Sequence, residues 1–346
     1  MGVTRQMQYA FFFIYAMLLP LYLLQRDNRT KDVYLYSASC LLVLSVALLS
    51  TNTSGTDYWN YRAIFNVIPP LSRFSLRGHT EPGFQILISL VKQLGFQYVH
   101  FQILFQSFLA MLVIGGYRRI TPHWLIVIWL YFPRNVMQGH LNQIRAVVVY
   151  AAMLYAIPLV EKKQLFKTIR NAVAAALFHL SALAIIPSYV VMRAKARKNL
   201  APVVVIAALV VGQILFSLLF NIASSYSIRG AKYVLGAESS VSLLSVNVIR
   251  RLVLLLYGIW VFPYARRRQP YFNTIWNVFL LSIVTYFAFL RMPILAERIS
   301  AIFAVAEPLM IISALYVFKE RLFAYGIILA YGLLDVLSRG LLLYQY

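Results

Sequence analysis

Long apolar runs separated by short, basic polar turns organise this chain from end to end. Segments 7–25, 33–50, 201–221, 273–290, 299–318 and 322–344 each hold an apolar stretch long enough to cross a hydrocarbon core of about 30 Å as a helix. The pattern predicts an all-α, polytopic integral membrane protein of about 10–12 transmembrane helices. The first apolar segment has no small-residue cleavage site and reads as a retained span. The sequence has no internal repeat, no low-complexity tract and no linker. Residues 1–346 therefore read as one polytopic domain, whose outer loops 51–80 and 223–247 bear amphipathic segments.

Lysine and arginine collect at Arg26–Lys31, Lys162–Arg170, Arg193–Lys198, Arg266–Arg268 and Lys319–Arg321. Positive loops stay in the cytoplasm. Loops 51–80, 223–247 and 291–298 then face outward, and the N-terminus starts outside.

Three stretches resist a simple count of spans. The uncharged run Asn171–Met192 has basic clusters at both ends. It is too short for two full spans, which need roughly 40 residues. A hairpin of two short helices fits, with Phe178-His179-Leu180-Ser181 at its tip. Pro122–Leu159 behaves similarly: two apolar helices flank Arg134, Asn135, Gln138, His140, Asn142, Gln143 and Arg145. Parity supplies the third case. Two cytoplasmic loops must be joined by an even number of spans, but 33–50, 82–96, 99–117, 123–134 and 145–160 make an odd set. Segment 82–96 is short and carries Lys92, so it reads as re-entrant or interfacial. Short or broken helices at membrane depth are tolerated where they line a water-filled cavity. One deep, outward-facing pocket is the expectation.

Composition sharpens this picture. The formal net charge is +22 on a chain that is 61% hydrophobic, with a mean hydropathy of +0.73. A soluble nucleic-acid binder would also be basic, but it could not hide so much apolar surface. Most of the positive charge is arginine, whose planar fork grips phosphate bidentately and never deprotonates. Arginines at helix mouths in an apolar protein point to phosphate attached to lipid. The only cysteine, Cys40, lies in an apolar run, so no disulfide is available. Glu307 and Asp335 fall within spans and need partners if buried.

The candidate chemistry is concentrated in a few places. Spacing puts Asp57, Tyr58, Tyr61 and Arg62 near one side of a short helix. Rings beside charged groups suit sugars; an interfacial helix anchored by Trp and Tyr is the competing reading. Glu81-Pro82-Gly83 reads as a helix start, with the carboxylate either capping free N–H groups or acting as a base. Arg145 opens a helix, where the macrodipole disfavours a cation, so an anion must recruit it. Arg298 is similar, with local pairing to Glu297 as the alternative, and Arg250, Arg251 and Arg291 add positive charge on the outer side. His179 is a lone histidine in an apolar stretch, either a core residue or, at the expected turn beside Ser181, a functional one. No metal-binding spacing and no Gly-rich nucleotide loop is present in the sequence.

These pieces together resemble the EpsG-type branch of the Wzy-like bacterial polysaccharide polymerases. The matching residues are Thr56-Asp57-Tyr58 with Tyr61, then Glu81-x-Gly83-Phe84, then Ile144-Arg145. The Lys162-Lys163 turn, Ala176-Leu177-Phe178-His179-Leu180-Ser181-Ala182 and Glu297-Arg298-Ile299 follow in order, over about residues 30–310. The family often has glutamine after the helix-opening arginine; this chain has Ala146. The resemblance implies a GT-C-like fold and a glycosyltransferase that polymerises undecaprenyl-pyrophosphate-linked oligosaccharide repeat units at the outer leaflet of the bacterial inner membrane. Its site would open to the periplasm. Glu81, Asp57 or His179 would be the base, and Arg145, Arg298, Arg62, Arg291, Arg250, Tyr58 and Tyr61 would hold substrate and pyrophosphate. No cofactor, metal or nucleotide is implied, because the donor is already activated. The implied partners are the lipid-linked oligosaccharide, membrane lipid, a chain-length co-polymerase and a flippase, and no nucleic acid. An O-antigen ligase or membrane acyltransferase is the first alternative, and a lipid-linked glycan flippase or transporter the second.

Overall fold

A computed structural model of the chain describes residues 57–76, 80–131, 139–140, 142–226 and 245–343. Segments 7–25 and 33–50, Cys40 and most of loop 223–247 lie outside them, as does the Arg134–Gln138 stretch. Every described element is helical, and the chain is an all-α polytopic membrane protein. Among the described residues, three helices are long and apolar enough to cross a membrane: α3 (Tyr98–Ile120), α5 (Ile144–Glu161) and α9 (Val246–Arg268). A bent pair, α11 (Pro293–Ala304) with Glu307–Val317, supplies a fourth if it acts as one span. The other helices are α1 (Tyr58–Val67), α2 (Pro82–Gln93), α4 (Trp124–Tyr131), α6 (Leu165–Ala176), α7 (Ile185–Arg193), α8 (Ala201–Tyr226), α10 (Phe272–Ala288), α12 (Glu307–Ile311), α13 (Ala314–Val317) and α14 (Arg321–Leu343).

The chain divides into two compact units. The first comprises Met1–Pro158, Leu165–Ile186 and Leu329–Tyr346; the second comprises Leu159–Gln164 and Pro187–Ile328.

In the first unit, α1 turns Tyr58, Tyr61 and Phe65 inward, one helical face at a spacing of three and four. Their rings meet Tyr98, Phe84 and Phe101 at centroid distances of 5.3 to 6.0 Å. Lys92 on α2 closes this cluster. Its Nζ donates to the carbonyls of Phe65, Asn66 and Ile68 at 2.9, 3.1 and 2.6 Å, so a cation sits on the negative end of α1. The 12 residues of α2 rise roughly 18 Å, well short of a bilayer core. Glycine lets α2 approach the turn after α6. The Gly83 N–H donates to the Leu177 carbonyl at 2.8 Å, and a Cβ on Gly83 would lie 2.8 Å from that oxygen and 2.9 Å from Leu177 Cβ.

The break expected around His179 is present: α6 ends at Ala176 and a 3₁₀ turn covers Leu180–Ala184 before α7. The helix itself starts earlier than the apolar run suggests, inside the basic cluster at Leu165.

In the second unit, α10 packs on α8, α9 and α11. Gly258 admits the fully buried Trp276, whose Cζ3 would lie 2.9 Å from a Cβ there. Ser245 caps α9 by accepting from the Val248 N–H at 3.4 Å, and Arg266–Arg268 occupy its last turn, where cations are favourable. The run 299–318, expected as one span, is broken and bent by 53°. Pro308 lacks an N–H and ends the ladder of α11, and Glu307 begins the short α12. The outward stripe of α9 is apolar, with Ile249, Leu252, Val253, Leu256 and Trp260 exposed. That stripe suits lipid, not water.

Candidate active site

Three predicted residues from distant parts of the first unit meet. Glu81 holds the N-cap position of α2 in extended conformation, but its side chain makes no cap hydrogen bond. The carboxylate turns to Arg145 and His179 instead. Arg145, the second residue of α5, donates from Nη1 to Glu81 Oε2. His179 approaches Glu81 Oε1 through Nδ1 at 3.2 Å, and the Leu180 N–H donates to the same oxygen at 3.3 Å. The close Gly83–Leu177 approach is what carries the start of α2 to this turn. Phe178, beside His179, stacks on Phe105 of α3 at 6.3 Å and fixes the other side of the turn.

The site is partly open. Side-chain exposure is 10% for Glu81, 22% for Arg145 and 34% for His179, so His179 is not a core histidine. Arg145 lies over the rings of Tyr61 and Phe84, at 5.8 and 5.6 Å from their centroids. Burial raises the Glu81 pKa, but the His179 contact, its own and the Leu180 backbone N–H groups and the charge of Arg145 overcome this and bring it to about 2. Glu81 is thus ionised under any physiological condition. Burial pushes the Tyr61 phenol up, with Arg145 opposing the shift.

The remaining α1 residues separate. Tyr61 joins the site. Tyr58 is buried in packing, with its ring edge-on to Trp59 and Tyr98 and its carbonyl accepting from the Tyr98 hydroxyl at 3.3 Å. The Asp57 carboxylate accepts from Asn60 Nδ2 at 3.3 Å. Arg62 is exposed and lies over the Trp59 ring at 5.4 Å. The expected single face of Asp57, Tyr58, Tyr61 and Arg62 is therefore split, because the ring of Trp59 holds the long arginine side chain on the outer surface.

A second polar cluster lies in the second unit. Arg251, fully buried, donates from Nη1 to Glu307 Oε1 at 3.3 Å and from Nη2 to Ser300 Oγ at 3.0 Å, with Glu297 Oε2 4.0 Å away. Its guanidinium lies 4.0 Å from the centre of the Tyr286 ring. Arg250 donates from Nη1 to Glu307 Oε2 at 2.8 Å, and Asn247 Nδ2 to Glu297 Oε1 at 3.3 Å. Glu307 thus has the partners its burial requires. Arg298 departs from its expected place at a helix start. It sits mid-helix in α11, exposed, because Pro293 begins that helix five residues earlier. Arg291 is also exposed and lies over Phe216 at 5.5 Å. Of the adjacent pair, Arg250 is the expected substrate ligand, but it is Arg251 that lies on the buried face of α9 with Val248, Leu254, Leu255 and Gly258; the opposite face is equally apolar, so spacing alone does not mark it.

Apolar helices of membrane length and a charged, partly open cluster in the first unit define a membrane protein with a polar site. The model of the EpsG family matches residues 33–337, and the chain belongs to that family. Membership carries a polysaccharide polymerase-like role and, coarsely, a glycosyltransferase-type activity in a membrane. No curated protein and no solved structure matches the chain.

Proposed function

We propose that this protein polymerises undecaprenyl-pyrophosphate-linked oligosaccharide repeat units at the outer leaflet of the bacterial inner membrane. The growing glycan leaves its pyrophosphate lipid and joins the non-reducing end of a new lipid-linked unit. The convergence of Glu81, Arg145 and His179 at one partly open point carries this reading. Glycosyl transfer from a diphosphate needs two things: positive charge where the leaving group departs and a group to take the acceptor proton. Arg145 supplies the first, and the Glu81–His179 pair the second. The Tyr61 and Phe84 rings offer faces for sugar C–H groups beside the arginine. The donor is already activated, so no nucleotide enters. A flippase supplies the substrate from the cytoplasmic side, and a chain-length co-polymerase sets product size.

The test is the surface-glycan profile of a strain lacking this chain. Single repeats capped on lipid A, restored to a ladder by the intact gene, support polymerisation. Loss of all surface glycan would point to a ligase or flippase and overturn the proposal.

A further inference from the structure

We infer that His179, through Nε2, takes the acceptor proton, and that Glu81 is the residue that positions it. This rests on the polymerase reading and assigns roles within that site. Glu81 has both oxygens engaged: Oε2 by Arg145, and Oε1 by His179 Nδ1 and the Leu180 N–H. An ionised carboxylate only accepts hydrogen bonds, so Nδ1 must carry the imidazole proton and Nε2 presents its lone pair. Among the described residues nothing hydrogen-bonds His179 Nε2, and His179 is the most exposed of the three side chains. A proton placed on Glu81 would neutralise the carboxylate and leave the arginine beside the Tyr61 and Phe84 rings without its counter-charge. A carboxylate held this far below its ordinary range is also a weak base.

The step balances as follows. The acceptor hydroxyl oxygen bonds to the donor anomeric carbon as the bond from that carbon to the diphosphate oxygen breaks. The electron pair of the broken bond leaves with the diphosphate, and the hydroxyl proton passes to His179 Nε2. The groups facing His179 are Glu81 from the start of α2 and, behind it, Arg145 from the start of α5.

The experiment measures the rate of polymer formation by the full-length chain in nanodiscs, supplied with lipid-linked repeat units, over roughly pH 5 to 8. For the wild type, the rate falls on the acid side, as it does for any reaction whose base must be unprotonated. His179→Gln is expected to lose about 10²–10⁴-fold and to lose that acid limb. Glu81→Gln also loses rate but keeps the acid limb, because the base itself is still present. His179→Asn serves if His179→Gln does not yield monodisperse protein. An acid limb that survives unchanged in the His179 variant, or that vanishes in Glu81→Gln, overturns the assignment. A wild-type protein that extends no chain at any pH overturns the polymerase reading itself, before any variant is compared.

Discussion

Glu81 and Arg145, 64 residues apart in sequence, pair at the N-terminal ends of two helices, α2 and α5. A carboxylate at such an end is favourable and an arginine is not. The pair settles the conflict at the start of α5: the anion that recruits Arg145 is the protein's own. Both side chains are mostly buried, so removing one leaves the other without its partner. Glu81→Ala and Arg145→Ala should each destabilise the protein by about 1–3 kcal/mol. The double variant should be less destabilised than the sum. A double-mutant cycle from urea unfolding in detergent measures the coupling, and strict additivity would mean that the pair does not contribute.

The depressed Glu81 pKa predicts an acid response. Its ordinary value is 4.5 and its folded value about 2. The stabilisation from its ionised form is complete above about pH 4.5 and is lost as pH falls toward 2. The melting temperature should therefore fall on acidification through that window and not between pH 5 and 8 on account of this group. In Glu81→Gln the acid slope should shrink; an unchanged slope would place the acid sensitivity elsewhere.

Gly83→Ala tests how the site is assembled without touching any charged group. The added Cβ would meet Leu177 at 2.8 Å, and both partners of that contact are backbone-fixed. Overpacking of this kind costs about 1–3 kcal/mol. The start of α2 must move off the His179 turn, so chain extension should fall further than the loss of folded protein accounts for. Polymer length normalised to protein level is the measurement, and a normal ladder would show that Glu81 does not need this approach.

The site was legible where a residue broke a local rule. Arg145 stood at a helix start, His179 stood alone in an apolar run, and Glu81 preceded a proline and a glycine. What no pattern could supply was that these three meet, because that depends on a backbone contact between Gly83 and Leu177 across 94 positions of chain. Helical spacing put Tyr61 on one face of α1, and that face turns inward to Arg145, but spacing could not foresee that Arg62 would lie outside over Trp59. Arg298 was misplaced because its helix was started too late, although Pro293 marks the true start. The Glu307-Pro308 pair likewise marked a break inside an apolar run that hydropathy alone reads as continuous.

Arg251 should matter for stability and Arg145 for chemistry, and the two can be told apart. Arg251 is fully buried and holds Glu307, Ser300 and the Ser282 carbonyl, with Tyr286 against its guanidinium. Removing one member of such a buried network costs about 3–5 kcal/mol. Arg251→Met should therefore lower the amount of membrane-inserted protein sharply. Arg250→Met should cost less, because Arg251 still faces Glu307. In both variants the lost glycan should follow the lost protein, leaving the length of the polymer per molecule intact. Arg145→Lys should do the reverse. It keeps the charge beside Glu81, so the protein level should hold, but it loses the planar fork that suits a diphosphate. Quantitative blots beside glycan gels decide the matter: short chains at a normal protein level are expected only for the Arg145 variant. The same pattern in Arg251→Met would move the second cluster from scaffold to chemistry.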